Sequence, residues 1–375
     1  MAKQAVLVGI NYPGTAEELR GCVNDVLRMR KCLIDRFGFS SQGIKLLIDT
    51  DKSYVQPTGK NIREALKTLI SEGKSGDVLV FYYCGHGTRI PSADDTKDAT
   101  KFDECITPCD MNLITDNDFR DMLSEVKTGC RLTIISDSCH SGGLIEAVKE
   151  QIGDSHVNPP KSGIANFFSS IVMRLLGACG MSSSRIERGS GQESFTKKIE
   201  LEDGEIIEAK KRYLPLDSYV TLLAEQTGQT NIKYRDIRPT LVKFFGEDSS
   251  PSMTLANSTK RNGHRGLVSM LRSIGEVNSD GAGTGAQSLY MDKAVMLSGC
   301  QTDEKSEDVY VTRTRKAYGA FSDTIQKILS ERRKDKKISN KKIVLKARDI
   351  LKRQGYSQEP GLYCHDRYVN EPFIC

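Results

Sequence analysis

No stretch of about eighteen apolar residues occurs in the sequence, so a membrane-spanning helix is not expected anywhere in its 375 residues. Neither sign of charge dominates. Lys and Arg number 54 against 49 Asp and Glu, a formal net charge of +5, which gives no strong electrostatic reason to expect a nucleic acid or an anionic partner. A secretory signal is missing: Met1-Ala2-Lys3-Gln4 leads straight into a short apolar run that Pro13 and Gly14 end, so the expected compartment is the cytoplasm. Internal repeats and a phosphate-binding loop are missing as well. Gly281, Gly283 and Gly285 alternate, but no strand precedes them and no helix opens after them, which excludes a dinucleotide fingerprint. The 11 cysteines are an odd number scattered without a small-domain framework, as expected for free thiols in a reducing compartment. Without an export signal the sequon Asn257-Ser258-Thr259 carries no weight, and with Cys375 last no prenylation motif is expected.

Apolar residues make up 38% of the chain and charged residues 27%, enough for a sizeable core. The length suggests two to three units of about 150 residues. Ala5-Val6-Leu7-Val8-Gly9-Ile10 is a continuous apolar run, the mark of a strand buried on both faces. Leu19, Val23, Val26, Met29 and Leu33 recur every three or four residues and predict a helix over 16–37. A strand at 44–48, a helix at 59–72 and a strand at 78–83 follow, then a long loop rich in Asp and Thr. A strand at 131–136 leads to Cys139 and a helix near 144–151. Such alternation implies a parallel sheet with helices on both faces, and a working site beyond the carboxyl ends of its strands.

Between 153 and about 212 the character changes. Pro159-Pro160, Ser182-Ser183-Ser184 and Gly189-Ser190-Gly191 read as linker, and 200–212 has little to bury. Within this span Ile164, Phe167, Phe168, Ile171, Val172, Leu175, Leu176 and Cys179 fall on one face of an amphipathic helix, 164–179. It is expected to dock on the protein's own surface; a membrane interface or a partner is the less favoured reading. A second structured unit begins near Tyr213-Leu214-Pro215 and includes a strand at 294–297, helices at 318–330 and 340–354, and a closing segment from 362. The basic run 332–337 reads as a solvated helix end rather than a nucleic-acid patch.

Two segments share one design. The strand at 78–83 ends in Cys84-Gly85-His86-Gly87, and the strand at 131–136 ends in Asp137-Ser138-Cys139-His140-Ser141-Gly142-Gly143. Each sets a reactive side chain just past a strand, in a glycine-flanked turn that lets a substrate backbone approach and frees N–H groups to face it. If the strands are neighbours, His86 and Cys139 confront each other across a cleft. A thiol needs an imidazole to hold it as thiolate and to return a proton to a leaving amine, so the pair reads as a cysteine hydrolase. A zinc site of Cys84, His86, Cys139 and His140 suits the residue types, as does unrelated packing. The C-x2-4-C spacing of structural zinc is absent from both segments.

This pairing resembles the caspase-like cysteine peptidases, and among them the plant type II metacaspases. The likeness runs through Gly9-Ile10-Asn11-Tyr12-Pro13-Gly14-Thr15, Leu19-Arg20-Gly21-Cys22-Val23-Asn24-Asp25, Gly85-His86-Gly87-Thr88, Phe102-Asp103-Glu104-Cys105, the turn around Cys139, and Leu297-Ser298-Gly299-Cys300-Gln301. It implies a caspase-like α/β fold with a mostly parallel central sheet flanked by helices. A p20-like region, 1–152, would be joined by a spacer, 153–212, to a p10-like region, 213–375. The absence of an N-terminal prodomain and the long spacer fit that type, for which a monomeric zymogen is expected.

Carried over residue by residue, the resemblance makes Cys139 the nucleophile and His86 the general acid/base, with the N–H groups of Gly87 and Cys139 binding the oxyanion. The family uses a dyad, so no third orienting carboxylate is sought. Asp137 lies two residues before Cys139, so strand alternation sends both side chains the same way. Caspases carry Gln there to help hold an aspartate; a carboxylate would repel an acidic side chain and attract a basic one. With Asp25 as the second wall implied by the likeness, cleavage after Arg or Lys is expected, on protein or peptide substrates exposing those residues. Calcium is expected as an activator, through positions matching Asp103, Asp116, Asn117 and Glu146; Asn117 replaces a carboxylate, and Lys97 and Lys101 dilute the acidic pair Asp94-Asp95. Lys210-Lys211-Arg212 stands where the related enzymes have their processing site, with Lys210 or Lys211 the expected plug of the basic-residue pocket. The resemblance places the enzyme in the plant cytosol, in wounding, stress or cell-death responses. The alternative is a silent scaffold that binds basic peptides through Asp25 and Asp137, against which the intact His86 and Cys139 argue.

Overall fold

The long apolar runs become strands because both of their faces are covered: in Val78–Cys84 every residue is buried. The structure, a computed structural model, describes residues 1–92, 102–139, 149–153, 196–200, 206–253, 293–301, 306–333 and 336–374. In chain order its main elements are β1 (Lys3–Gly9), α1 (Cys22–Phe37), β2 (Ile44–Ile48), α2 (Gly59–Glu72), β3 (Val78–Cys84), β4 (Gly87–Pro91), β5 (Phe102–Ile106), β6 (Ile114–Thr115), α3 (Asp116–Ser124), β7 (Arg131–Asp137) and β8 (Glu150–Ile152). They continue with β9 (Thr196–Glu200), β10 (Ile206–Lys211), α4 (Leu216–Thr227), α5 (Ile237–Phe245), β11 (Ala294–Ser298), β12 (Glu307–Val311), β13 (Lys316–Gly319), α6 (Ala320–Ser330), α7 (Asn340–Arg353) and β14 (Gly361–Tyr363).

A seven-stranded sheet in the order β2-β1-β3-β7-β11-β14-β8 is the frame. Its first five strands run parallel, and β14 and β8 close it antiparallel. This is the mostly parallel α/β sheet expected, and it joins strands from both ends of the sequence. A four-stranded sheet, β13-β12-β10-β9, and a three-stranded one, β4-β5-β6, stand beside it. The register aligns Cys84 of β3 with Asp137 of β7, so the two glycine-flanked turns leave the sheet side by side.

Several elements differ from expectation: the stretch after 83 read as one long loop holds β4, β5, β6 and α3, its strands pairing with one another in a separate sheet, and the other differences each have a long-range reason. Helix α1 begins at Cys22, not at residue 16, because the preceding N–H groups are taken elsewhere: Leu19 donates to the Asn11 carbonyl at 2.8 Å, and Arg20 and Gly21 donate to the Asp308 carboxylate at 2.9 and 3.0 Å. Glu150 and Gln151 belong to strand β8 rather than to a helix. The stretch read as having little to bury contains β10, whose Ile207 and Ala209 are buried. It becomes a strand by pairing with β12, which lies about a hundred residues away in a segment given no element at all. The expected helix at 164–179, the glycines at 281–285 and most of 144–151 lie outside the described residues. Among the described residues no helix is long and apolar enough to cross a membrane.

Candidate active site

His86 sits two residues past the end of β3 with its side chain fully buried. Its Nε2 lies 2.7 Å from the Glu17 carbonyl oxygen. A carbonyl only accepts, so Nε2 carries the proton and Nδ1 is the basic nitrogen. Nδ1 is buried without a hydrogen-bond partner, and burial pushes the ring down to about 3, against the upward pull of the Glu17 carbonyl. The ring is therefore neutral. Its main chain is clamped: the Tyr12 hydroxyl accepts from the His86 N–H at 2.9 Å and donates to the Thr107 carbonyl at 2.5 Å, while the Tyr83 hydroxyl donates to the His86 carbonyl at 2.8 Å. Tyr12 also lays its ring 4.7 Å from the imidazole. It does so from a left-handed backbone (φ 50) held by the Asp49 carboxylate, which accepts the N–H groups of Asn11 and Tyr12 at 2.9 and 2.7 Å.

Cys139 lies past β7 and is buried as well. The Ser306 N–H donates to its sulfur at 2.9 Å. Burial, together with a hydrogen bond to the Cys300 thiol, lifts its pKa well above the usual thiol range. What the Cys139 main chain and the His86 ring share is the main chain of Arg212. The N–H groups of Gly87 and Cys139 both donate to the Arg212 carbonyl oxygen, at 3.0 and 3.4 Å, and the same main chain lies beside the His86 ring. This convergence depends on Gly87, where a β-carbon would collide with the Cys139 carbonyl oxygen. On either side the chain is held as an extended strand: the Arg212 N–H donates to the Ser306 carbonyl at 2.8 Å, and the Leu214 N–H to the Gly87 carbonyl at 2.9 Å.

The Arg212 side chain, fully buried, enters an acidic pocket. Its guanidinium lies 2.9 Å from Asp25, 3.1 Å from Asp137 and 2.9 Å from Asp308. Asp137 is held in turn by Ser306 Oγ at 2.5 Å and by the N–H and hydroxyl of Ser322 at 2.9 and 2.6 Å. Ser322 lies in the first turn of α6, where free N–H groups and the helix dipole favour a carboxylate. Burial pushes Asp25 up to about 8, even with the guanidinium pulling it down. The residue in the pocket is thus Arg212, and not Lys210 or Lys211 as expected. Lys210 belongs to β10, and its ammonium turns to Glu17 at 3.5 Å and to the carbonyls of Ala16 and Glu18.

Among the described residues Cys84, His86 and Cys139, three of the four in the zinc alternative, do not group as ligands. Cys84 groups with Asp25 and Asp137 instead, and His140 lies outside the described residues. The expected calcium donors stand apart from the pocket. The pairing of Cys105 with Thr115 across β5 and β6 sets Asp103 and Asp116 on adjoining segments. Asp103 pairs with Arg238, Asp116 accepts the Asn117 N–H at 2.7 Å, and the Asn117 side-chain amide oxygen accepts from Arg120. Glu146, Asp94, Asp95, Lys97 and Lys101 are outside the described residues. The oxygen donors suit calcium in kind, and an incoming ion has to displace the guanidinium of Arg238. A cavity of about 590 Å³ bounded by Lys3, Phe37, Arg131, Lys337 and Phe373 lies at the opposite end of the sheet and touches none of these groups.

Asp308, Glu17, Tyr12, Tyr83 and Ser306 complete the site without having been singled out. Glu17 meets His86, and Ser306 meets Cys139 and Arg212, through main-chain atoms, which leave no trace in side-chain identity, and Asp308 sits on the unforeseen strand β12. A buried cysteine and a neutral imidazole thus flank one main-chain segment, with the N–H groups of Gly87 and Cys139 on the Arg212 carbonyl oxygen, an arrangement with the parts a cysteine peptidase site needs. Residues 3–148 match the model of the metacaspase, peptidase C14 domain. Metacaspase-8 of Arabidopsis thaliana is 59% identical over 394 residues, covering 100% of both chains. Metacaspase-7 of the same plant is 48% identical over 414 residues, again covering 100% of both. The crystal structure of protein GSU0716 from Geobacter sulfurreducens shares the fold, with a TM-score of 0.50 and 14% identity over 99% of this chain and 97% of that one. The chain belongs to the metacaspase family of cysteine peptidases.

Proposed function

We propose that the chain is the zymogen of a cysteine endopeptidase that cuts after arginine or lysine, and that its first substrate is its own Arg212–Tyr213 bond. One observation carries this reading: Arg212 is seated as a substrate residue would be, its guanidinium against Asp25, Asp137 and Asp308 and its carbonyl oxygen on two N–H donors. In the reaction the Cys139 proton passes to Nδ1 of His86 and the sulfur attacks the Arg212 carbonyl carbon. The N–H groups of Gly87 and Cys139 hold the oxyanion; loss of one such donor typically costs about 3–4 kcal/mol. The imidazolium, oriented by the Glu17 carbonyl, then gives its proton to the Tyr213 amine. Water releases the acyl group as a carboxylate. The raised Cys139 and the lowered His86 keep the pair in its neutral form before activation, which suits a latent enzyme.

Calcium is the proposed trigger, held by Asp103, Asp116 and Asn117 with Glu146. Bound there, it would supply the positive charge that Arg238 now gives Asp103. The family likeness further supports a monomer acting in the cytoplasm, in stress, wounding or cell death. The test uses purified enzyme on peptides ending in Arg, Lys or Asp, with calcium or a chelator. Turnover of the Arg and Lys peptides with calcium alone is expected; cleavage after Asp overturns the specificity, and equal rates with chelator overturn the trigger.

Two further outcomes follow from the pocket. Burial raises the Asp25 carboxyl above the ordinary carboxylate range, so its protonation as pH falls weakens the pocket's hold on a cation. The kcat/KM for an Arg peptide therefore rises with pH over a range above the ordinary carboxylate one, whereas burial lowers His86 and sets its own limb at lower pH. Asp25→Asn removes the rise; a pH profile identical to wild type counts against this assignment. Gly319→Ala puts a methyl group onto Asp137 and the guanidinium position. Such a misplacement lowers kcat/KM for Arg peptides about 100-fold, and unchanged initial rates contradict the pocket geometry.

A further inference from the structure

Cys84 takes no part in the reaction above, yet its thiol faces the pocket that Arg212 fills. The ligating atoms of Asp25, Cys84 and Asp137 all lie within 4.8 Å of one another, and all three side chains are 0% exposed. One Asp25 oxygen, Oδ1, is buried with no hydrogen-bond partner. The Cys84 thiol makes a long contact, 3.6 Å, with Ser322 Oγ. Arg212 is the cation that pairs with Asp25, Asp137 and Asp308 alike. Once a cut lets its side chain leave, three carboxylates remain buried around a thiol without that charge, a state that poorly hydrated surroundings penalise heavily.

We infer that the emptied pocket binds zinc through Asp25, Cys84 and Asp137, in competition with the basic side chain of a substrate. This rests on the reading of the pocket as the one that receives that side chain. The donor set selects the metal. Calcium and magnesium want oxygen alone, whereas zinc takes a thiolate and carboxylates together. Three protein ligands leave its fourth position to water. Zinc bonds of about 2.0–2.3 Å set ligand atoms roughly 3.3–4 Å apart, so the trio closes on the ion by small side-chain rotations. On binding, the Cys84 S–H bond breaks, its proton goes to solvent and the sulfur lone pair forms the metal bond. The uncut zymogen is protected, because Arg212 holds the place of the ion, and zinc acts as a brake on the mature enzyme alone.

Two measurements test this. In the full-length chain, Cys139→Ala removes the catalytic thiol, and Cys139→Ala with Arg212→Ala also opens the pocket. Cobalt(II), standing in for zinc, is expected to give the thiolate charge-transfer band in the near ultraviolet with the double variant but not with Cys139→Ala alone. Zinc and arginine amide both displace it, and adding Cys84→Ser abolishes it. A band that survives Cys84→Ser, or is equal in both backgrounds, overturns the inference. Because Arg212 is fully buried and its removal strains the fold, the second measurement uses the self-cut wild type. Zinc is expected to raise KM for an Arg peptide at constant kcat, and Cys84→Ser to require at least about tenfold more zinc for the same effect. Equal zinc sensitivity of the two proteins overturns the inference while Arg cleavage stands. Failure to cleave Arg peptides at all, zinc-free, overturns the underlying reading instead.

Discussion

Cys139→Ala leaves the chain whole and lowers turnover of an Arg peptide by roughly a million-fold, the usual scale for loss of a nucleophile. Wild type, by contrast, yields a fragment whose new N-terminus reads Tyr213-Leu214-Pro215. That terminus discriminates sharply among the three basic residues. A cut after Lys210 or Lys211 would start the fragment one or two residues earlier, with the scissile carbonyl away from the Gly87 and Cys139 N–H groups that hold Arg212. Sequencing the fragment by mass spectrometry checks the bond, and the intact Cys139→Ala chain shows that the cut is the enzyme's own. A Cys139→Ala preparation that still processes at the wild-type rate removes the thiol from the mechanism.

The second large effect concerns the acidic pocket. Asp25→Ala or Asp137→Ala lowers kcat/KM for Arg peptides by roughly 10²–10⁴-fold, because removing one partner of a buried ion pair costs about 3–5 kcal/mol. Asp137→Ala has the larger effect. Its carboxylate also accepts from Ser306 and from the first turn of α6, so its loss strands three donors, whereas Asp25 → Ala strands the Gly319 N–H and part of the guanidinium. Steady-state kinetics on matched Arg and Lys peptides measures both. If either variant keeps wild-type kcat/KM, the side chain that enters this pocket is not the one that sets specificity.

These expectations divide by what each rests on. His86, Cys139 and Asp137 were legible because each follows a continuous apolar strand, and a period of two fixes where side chains past its end will point. Asp25 came only from the family likeness, since nothing in its local pattern distinguishes it from a helix's first-turn acid. Asp308 was invisible. A short alternating strand such as β12 becomes a strand only by pairing with β10, and no local pattern announces a partner about a hundred residues away. The clamp on His86 was hidden for a different reason: the Glu17 carbonyl is a main-chain atom that every residue type possesses.

The parallel strands β1, β2, β3 and β7 with the helices α1 and α2, the thiol and imidazole past two of those strands, and the acidity of their surroundings were written in the amino-acid pattern, because hydrophobic period and glycine turns are local properties; β4, β5, β6 and α3, in the stretch read as a loop, were not. Which basic residue lies in the pocket was decided by the folded chain alone. Lys210, Lys211 and Arg212 carry the same charge, and only the antiparallel register against β12, which ends at Lys211, sets the next carbonyl on the waiting N–H groups and aims the guanidinium at three buried carboxylates. Charge selects the kind of side chain; register selects the residue.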